Sequence, residues 1–431
     1  MEIVKLSVTQ GAAVSIGAVL GTGVIGLPAL GAQVAGPASL VAWVVLIALS
    51  VPLATTFAAL GARYPDSGGV STYARKAFGP RAAAVVGWCF YFAVPAGAPA
   101  AAMFGGAYVA AAFGGGMRTT LLTAAGLIVI VTLSNAGGLR VSGRVQLALA
   151  GILALLLLTA TIIALPHAEL ANLRPFAPHG WLAVGSAAAV LVWGFAGWEA
   201  VSHLAADFRR PHRDLPRATA VALVVVGALY LGIASVSLLV LGAATGSTEA
   251  PLAELLAIGA GAEVKVITAI VALLLTLGAM NAYFAGAAKL GAALGRDGAL
   301  PRWLARGSSA GEVPRRSLAV VAVLAALALS IVALAGVGPT PSVLLTTGSF
   351  VLVYVLGTAA AVRLLPRRSW ARRSAMVAFA GSVALLFTTG VYVLWTLVVA
   401  AAALGYEHRS ARRGALVRQP ERDPEEALST V

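Results

Sequence analysis

Long apolar segments follow one another through almost the whole chain, and they limit its fold more than any other feature. Of the 431 residues, 60% are hydrophobic and 11% are charged, whereas a soluble protein carries about 25% charged residues. A helix needs about 20 apolar residues to cross the hydrocarbon layer of a bilayer. The sequence therefore predicts an all-α polytopic membrane protein with about twelve transmembrane helices. Their predicted bounds are 8–34, 37–62, 82–112, 119–137, 142–165, 182–206, 217–244, 264–293, 317–336, 341–364, 374–388 and 390–406.

The lysines and arginines predict the orientation of these spans. Cytoplasmic loops of membrane proteins are enriched in both residues. If the N-terminus is cytoplasmic, all but three of the 30 lysines and arginines lie on the cytoplasmic side, the exceptions being Arg118, Arg174 and Lys265. We therefore expect a multi-pass protein of the cytoplasmic membrane with both termini in the cytoplasm. The same placement explains the net charge of +14 without a nucleic acid partner.

The chain divides into one transmembrane domain, residues 1–406, and a charged cytoplasmic tail, 407–431, that is expected to be disordered. The loop 245–262 predicts a short amphipathic helix outside the membrane. The turn at Thr388-Thr389-Gly390 separates the last two spans, and one long tilted span is the alternative. The single cysteine, Cys89, excludes an intrachain disulfide.

Glycines interrupt the first span in the run Gly21-Thr22-Gly23-Val24-Ile25-Gly26. The run matches the dinucleotide-binding pattern G-x-G-x-x-G, which requires a preceding strand and an acidic residue about 20 residues later. The next acidic residue after Glu2 is Asp66, so the nucleotide interpretation fails. Two interpretations remain: small residues for close helix packing, or a broken helix whose backbone faces a polar ligand.

A second interruption lies in the sixth span, at Trp193-Gly194-Phe195-Ala196-Gly197-Trp198-Glu199. Glu199 is ionisable and lies in mid-span, where a charge is costly and indicates a functional site. Interruptions at corresponding positions are expected when two structural repeats each contribute a discontinuous helix to a site at the membrane midplane. The coincidence of both runs favours broken helices over close packing.

Two broken helices suit a zwitterionic ligand. N–H groups at the start of a half-helix bind a carboxylate, and carbonyls freed at the end of another accept hydrogen bonds from an ammonium group. We predict that the first interruption supplies the N–H groups and that the second supplies carbonyls and an aromatic wall. The predicted binding residues are Gly21, Thr22, Gly23, Val24, Trp193, Gly194, Phe195 and Gly197.

Other polar residues in the spans are weaker candidates. His203 lies four residues after Glu199, on the same helical face. The pair would form a pH-sensitive gate, unless His203 simply bonds to a backbone carbonyl. Asn281, Tyr283 and Ser349 are additional pocket candidates, although a serine can bond to its own helix. The sequence has no metal-ligand spacing and no nucleophile–base arrangement, so neither a metal, a cofactor nor an enzyme is predicted.

Three motifs in this order resemble those of the amino acid–polyamine–organocation permeases. They are Gly21-Thr22-Gly23 with Pro28; Tyr64-Pro65-Asp66-Ser67-Gly68-Gly69-Val70 followed by Ala77-Phe78-Gly79; and Trp193 to Glu199 continuing to Asp214-Leu215-Pro216-Arg217-Ala218. The resemblance covers most of the chain through the tenth span. Within this superfamily, the chain most resembles the bacterial methionine and branched-chain amino acid exporters.

The resemblance implies a LeuT-like fold that transports by alternating access. It implies two inverted five-helix repeats, 8–165 and 182–364, with helices 1 and 6 broken, and two extra helices at 374–406. It also implies that Gly21, Thr22 and Gly23 meet the substrate carboxylate, that Trp193 and Phe195 line the pocket, and that Glu199 responds to protons. The fifth span, Val145 to Leu165, lacks the lysine of some relatives, and the eighth has Ala285-Gly286-Ala287 where sodium-coupled relatives use hydroxyls. Proton antiport or exchange is therefore expected.

We expect a secondary transporter that exports neutral or apolar amino acids such as methionine, leucine, isoleucine and valine. Glu199 would also suit a cationic amino acid or a polyamine, so import or exchange of those is the alternative. A membrane sensor that has lost transport is a third interpretation. The sequence leaves the direction of transport and the oligomeric state open.

Overall fold

The computed structural model is all-helical and describes residues 7–64, 69–138, 143–199, 208, 210–309 and 312–417. Within these residues, nine helical stretches are long and apolar enough to cross a membrane. This confirms the predicted polytopic membrane fold. The helices are α1 Val8–Val19, α2 Leu27–Ala35, α3 Ser39–Arg63, α4 Gly69–Phe78, α5 Pro80–Phe113, α6 Gly116–Ala136, α7 Gly143–Ala164, α8 Ala183–Leu191, α9 Pro211–Leu241, α10 Pro251–Ala260, α11 Val264–Arg296, α12 Arg315–Ala335, α13 Thr340–Leu364, α14 Trp370–Thr388 and α15 Val393–Val417.

The predicted first span is broken in two, as the glycine run indicated. α1 begins with a capping box, in which the Gln10 N–H donates to the Ser7 hydroxyl at 3.3 Å and the Ser7 N–H donates to the Gln10 side chain at 3.0 Å. The chain is extended at Gly21, and a short 3-10 turn, Thr22–Ile25, follows. α2 then begins with Pro28 in its first turn. The N–H groups of a first turn have no acceptor within the helix, so proline, which lacks an N–H, suits this position.

The predicted sixth span is broken as well. α8 passes into a 3-10 turn, Val192–Phe195, and the backbone becomes extended at Ala196 (φ −67°, ψ 134°). Gly197 has φ +128°, a conformation that glycine adopts far more readily than other residues. The predicted remainder of this span, from Ala200 to the end of the helix at 206, lies outside the described residues.

Of the nine membrane-spanning stretches among the described residues, α5 is the most buried within the bundle. It contacts α4, α6, α11, α12, α13 and α15, and much of its surface consists of small residues that allow close approach. Cys89 on this helix is fully buried. α6 and α11 are joined beside α5 by a hydrogen bond from the Asn135 side-chain amide to the Asn281 side-chain oxygen at 2.8 Å.

Basic residues of α4 and of the end of α13 lie together at one end of the helix bundle, called here the basic end. The guanidinium of Arg363, at the end of α13, lies 5.7 Å from the ring centre of Phe78 in α4. The Lys76 ammonium lies 5.1 Å from the ring centre of Tyr64. α10, at the predicted outer loop, is the short helix expected there, and Glu254 in it pairs with Lys265 at 2.9 Å.

The last two predicted spans are separate helices. α14 ends at Thr388, and α15 begins at Val393 after a turn at Gly390–Tyr392. α15 returns to the basic end, because its Tyr406 ring lies 6.0 Å from that of Trp88 near the start of α5. α15 continues to Val417, past the predicted end of the span at 406, so the first part of the predicted tail is helical. Residues 418–431 lie outside the described residues.

Candidate functional site

A small cavity lies where the two breaks face each other. Gly21 and Gly23 line it from the first break, and Trp193 and Gly194 line it from the second. Its volume is about 50 Å³, which is room for only a few water molecules. The walls must therefore move apart to admit a larger ligand. Its other lining residues are Val19, Ala93, Val94, Gly97, Ala98, Ala101, Ala196, Ala279, Met280, Tyr283, Phe284, Thr346 and Phe350.

The indole of Trp193 fits between two glycines. A Cβ atom on Gly23 would lie 2.8 Å from Trp193 Cδ1, and one on Gly97 would lie 2.9 Å from Trp193 Cη2. Both distances are shorter than carbon atoms tolerate without displacement. The glycines of the first break and of α5 therefore leave the space that the indole occupies.

Phe104 of α5 lies beside the central cavity, next to Trp193. Its ring packs on Gly26, where a Cβ atom would overlap it, and lies 6.4 Å from the Trp193 ring, nearly perpendicular to it. A second cavity lies beyond Phe104 and includes Gln33 and Glu249 in its lining. The two aromatic rings thus separate the central cavity from this outer one.

A larger cavity of about 390 Å³ lies between α1, α7 and α11. It shares Gly21, Ala279 and Tyr283 with the central cavity. Gln146, near the start of α7, is one of its polar lining residues. The central cavity therefore adjoins this larger cavity, whereas it shares no lining residue with the one that includes Gln33 and Glu249.

Glu199 lies behind the central cavity and ties the second break to α13. Its side chain is 8% exposed. One carboxylate oxygen accepts hydrogen bonds from the Gly197 N–H at 3.0 Å and from the Tyr354 hydroxyl at 2.7 Å. The Tyr354 hydroxyl also lies 3.3 Å from the Phe195 carbonyl oxygen. A change in the charge of this carboxylate would therefore act directly on the broken segment.

The two breaks are in direct contact at Gly197. A Cβ atom on Gly197 would lie 2.6 Å from the Ala18 carbonyl oxygen and 3.2 Å from the Val19 Cα atom. Since both neighbours are backbone atoms, no rotation of a side chain could relieve the overlap. The end of α1 and the second break pack here as one unit.

Sequence reasoning missed three buried tyrosines that bond to the broken segments. The Tyr108 hydroxyl donates to the Ile25 carbonyl at 2.8 Å, and the Tyr230 hydroxyl lies 3.0 Å from the Val19 carbonyl oxygen and 2.8 Å from that of Gly194. Tyr354 is the third. A buried tyrosine hydroxyl usually finds a hydrogen-bond partner, so tyrosines in mid-span were the signal available in the sequence.

The structure brings five of the predicted site residues to the central cavity: Gly21, Gly23, Trp193, Gly194 and Tyr283. Val24, Phe195, Gly197 and Glu199 are buried behind its wall. The Phe195 ring packs instead against two other rings: its centre lies 5.2 Å from the ring centre of Tyr230 and 5.7 Å from that of Trp43.

The remaining predicted residues lie elsewhere. Asn281 bonds to Asn135 between α6 and α11, and the Ser349 hydroxyl donates to the Leu345 carbonyl of its own helix at 3.3 Å. Neither residue lines the cavity. His203 and the side chain of Thr22 lie outside the described residues. No group of three or more His, Cys, Asp or Glu within the described ranges is placed to hold a metal ion.

The profile of the amino acid permease family matches residues 6–410. The uncharacterized amino acid permease YecA of Bacillus subtilis (strain 168) is 33% identical over 405 residues, which are 94% of this chain and 95% of YecA. The L-methionine/branched-chain amino acid exporter YjeH of Escherichia coli (strain K12) is 32% identical over 407 residues, covering 92% and 94% of the two chains. The branched-chain amino acid permease BcaP of Bacillus subtilis (strain 168) is 26% identical over 239 residues, 51% of each chain.

The family profile and the matches to YecA and YjeH extend over the broken helices, the cavity between them and most of the scaffold. They agree with the multi-pass helical fold and with the motifs at the two breaks. The chain therefore belongs to the amino acid permease family, within the amino acid–polyamine–organocation superfamily.

Proposed function

We propose that this permease is a secondary transporter that exports neutral or apolar amino acids by alternating access, coupled to proton antiport or exchange. The observation that carries the proposal is the central cavity between the two breaks. The turn Thr22–Ile25 begins at this cavity, and the first N–H groups of a helical turn have no acceptor within it. They suit a carboxylate, while the Gly194 carbonyl, which accepts a hydrogen bond from the Tyr230 hydroxyl, suits an ammonium group with its second lone pair.

The rest of the lining favours an uncharged side chain. The walls from α5, α11 and α13 are formed mainly by alanines, Met280, Phe284 and Phe350. The Glu199 carboxylate does not line the cavity and already accepts two hydrogen bonds. A cationic side chain would therefore enter an apolar space, where an unpaired charge is costly. The relatives YjeH and BcaP, named as a methionine/branched-chain amino acid exporter and a branched-chain amino acid permease, agree with this preference.

We further propose that the basic end faces the cytoplasm. Lys76, Arg75 and Arg363 lie at this end, and cytoplasmic loops carry the excess of basic residues. Both termini would then be cytoplasmic, and the cavity between α1, α7 and α11 would be the cytoplasmic path to the site.

Transport by the purified protein in proteoliposomes tests the proposal. Radiolabelled methionine, leucine, lysine and putrescine are followed with and without a pH gradient. We expect saturable exchange of methionine and leucine, and efflux that responds to the gradient. Saturable transport of lysine or putrescine alone would support the cationic alternative. No saturable movement of any amino acid would contradict transport itself.

The size of the residue at position 97 is predicted to limit the size of the substrate side chain that the cavity accepts. In Gly97→Ala the added methyl group would lie 2.7 Å from Thr346 Oγ1 and 2.9 Å from Trp193 Cη2, so these side chains must move into the cavity. One methylene in an apolar pocket changes selectivity by roughly 10- to 200-fold. We expect transport of methionine and leucine to fall by about tenfold or more relative to alanine.

The matched control for this substitution is Gly126→Ala in α6, because a Cβ atom there meets nothing within 4 Å. Competition assays with alanine, valine, leucine and methionine give the selectivity of each variant. An unchanged selectivity in Gly97→Ala would show that α5 does not limit the size of the substrate side chain.

A further inference from the structure

A cluster of arginines lies where α13 turns back into α14, at residues 363–373, called here the arginine turn. They are Arg363, Arg367, Arg368, Arg372 and Arg373. The sequence has no acidic residue between Glu312 and Glu407. Among the described residues, none of these arginines forms an ion pair. The positive charge of the arginine turn is therefore left without a counter-charge in the part of the protein that the structure describes.

Arg372 holds a hydrogen-bond donor that lacks an acceptor. Its Nε atom is buried, and no described residue accepts a hydrogen bond from it. The other arginines of the turn are exposed, so water can bond to their guanidinium groups. A buried donor without a partner is costly, and more so when the group is charged. An anionic oxygen beside Arg372 would remove this cost.

The start of α14 adds further positive potential to the arginine turn. Arg372 and Arg373 lie in its first turn, where the helix dipole is equivalent to a partial positive charge. The Ser369 hydroxyl accepts the Arg372 backbone N–H at 3.2 Å, but the other first N–H groups have no acceptor within the helix. Two cations at this end of a helix are unfavourable without an anion, so the arrangement favours a bound one.

The surroundings of the arginine turn favour a lipid over a free anion. The Ser374 hydroxyl donates to the Pro52 carbonyl at 3.4 Å, about three turns before the end of α3, so α14 begins deeper in the bundle than α3 ends. Trp370 is 74% exposed, and Met376 and Val377 are exposed further along α14. Tryptophan is enriched at the membrane–water interface, and exposed apolar side chains below it suit acyl chains.

We propose that the arginine turn binds an anionic phospholipid, with the lipid phosphate at Arg372 and the start of α14 and the acyl chains along Met376 and Val377. A guanidinium group donates two parallel hydrogen bonds to a phosphate, and basic pockets between transmembrane helices bind anionic headgroups. None of these residues lines the three cavities described above. The inference therefore goes beyond the proposed function and does not depend on it.

Native mass spectrometry of the purified full-length protein tests the proposal. Dioleoylphosphatidylglycerol is titrated against dioleoylphosphatidylcholine, which has the same acyl chains and no net charge. We expect saturable binding of the first lipid and binding of the second that is weaker by about tenfold or more. In the double variant Arg372→Gln, Arg373→Gln, the affinity for phosphatidylglycerol should fall roughly 20-fold, because each arginine near an anionic headgroup contributes about fivefold. Equal binding of the two lipids, or an unchanged affinity in this variant, would overturn the proposal.

The matched control is the double variant Arg302→Gln, Arg306→Gln, which removes the same charge from two exposed arginines in the loop between α11 and α12. Its affinity for phosphatidylglycerol should stay within about threefold of that of the unmodified protein, since the attraction of a charge falls off within a Debye length. An equal loss in both double variants would mean that only the total charge matters, and the arginine turn would not be a site.

Two further measurements complete the test. Size-exclusion chromatography establishes that each variant is folded. If Arg372→Gln, Arg373→Gln is not, the exposed pair Arg367→Gln, Arg368→Gln decides, with the same roughly 20-fold loss expected. Glycerol 3-phosphate, which carries a phosphate without acyl chains, should not displace phosphatidylglycerol when present in large excess. Displacement by an equal concentration of glycerol 3-phosphate would identify a site for a soluble anion and overturn the assignment to a lipid.

Discussion

Replacing Gly197 with alanine is expected to lower the transport rate by roughly a hundredfold or more. Gly197 has φ +128°, and holding another residue in such a conformation costs about 1–3 kcal/mol. The added Cβ atom would also lie 2.6 Å from the Ala18 carbonyl oxygen. The strain and the overlap together would push the two breaks apart. Each ~1.4 kcal/mol that this adds to the free-energy barrier of transport slows transport tenfold.

Exchange of radiolabelled methionine in proteoliposomes measures this effect, with the amount of folded protein taken from size-exclusion chromatography. Gly185→Ala is the control on the same predicted span, since its Cβ atom would make only an ordinary contact, 3.5 Å from Thr388 Cγ2. We expect it to transport at close to the rate of the unmodified protein. Normal transport by Gly197→Ala would mean that the contact between the breaks is not needed.

The second large effect is expected from Glu199→Gln, which should remove most of the response of transport to a pH gradient. The carboxylate accepts hydrogen bonds from the Gly197 N–H and from the Tyr354 hydroxyl. A proton bound by Glu199 would change the bonds that hold the second break to α13. Glutamine is nearly the same size but cannot titrate, so the break would stay in one arrangement at every pH.

Gradient-driven efflux between pH 5 and pH 8 measures the response, and exchange at equal pH on both sides serves as the reference. We expect exchange to be retained within about tenfold, since hydrogen bonds to a charged group contribute about 1.5–3 kcal/mol and glutamine replaces part of them. Tyr354→Phe is the comparison variant, because it removes a bond to Glu199 and keeps the carboxylate. A full response to the gradient in Glu199→Gln would exclude this residue as the proton-responsive group.

The sequence was sufficient to predict where the helices break. Gly21 and Gly197 stand at positions where the backbone leaves the helix, and each belongs to a cluster of glycines within an apolar span. Pro28 marks the start of the second half-helix, because proline is favoured in the first turn of a helix. The break positions could be predicted because they depend on neighbouring residues in the chain.

The walls of the cavity could not be predicted in the same way. Gly97, Met280 and Thr346 come from three helices far apart in the chain, and their convergence depends on how those helices pack. Gly97 is one of several small residues on α5. Nothing in the sequence distinguishes the glycine beneath Trp193 from those that contact other helices.

Polar side chains in the spans proved to be uncertain indicators of the site. Asn281 and Ser349 are buried, but Asn135 and the Leu345 carbonyl satisfy them away from the cavity. The backbone groups freed by the breaks are bonded instead by tyrosines such as Tyr108 and Tyr230. Tyrosine is a common residue in apolar spans, so its presence there does not reveal its role. The role is visible only in the structure, where the tyrosine hydroxyl bonds to a broken segment.

The burial of Cys89 makes this protein suitable for site-directed thiol labelling. It is the single cysteine of the chain and is 0% exposed in α5, so a membrane-impermeant maleimide should leave the unmodified protein unlabelled. A cysteine introduced at Gln33 would then report on the outer cavity, and one at Gln146 would report on the cavity between α1, α7 and α11. The fraction labelled from each side of the membrane would follow the alternation between the two openings, with no native thiol to remove first.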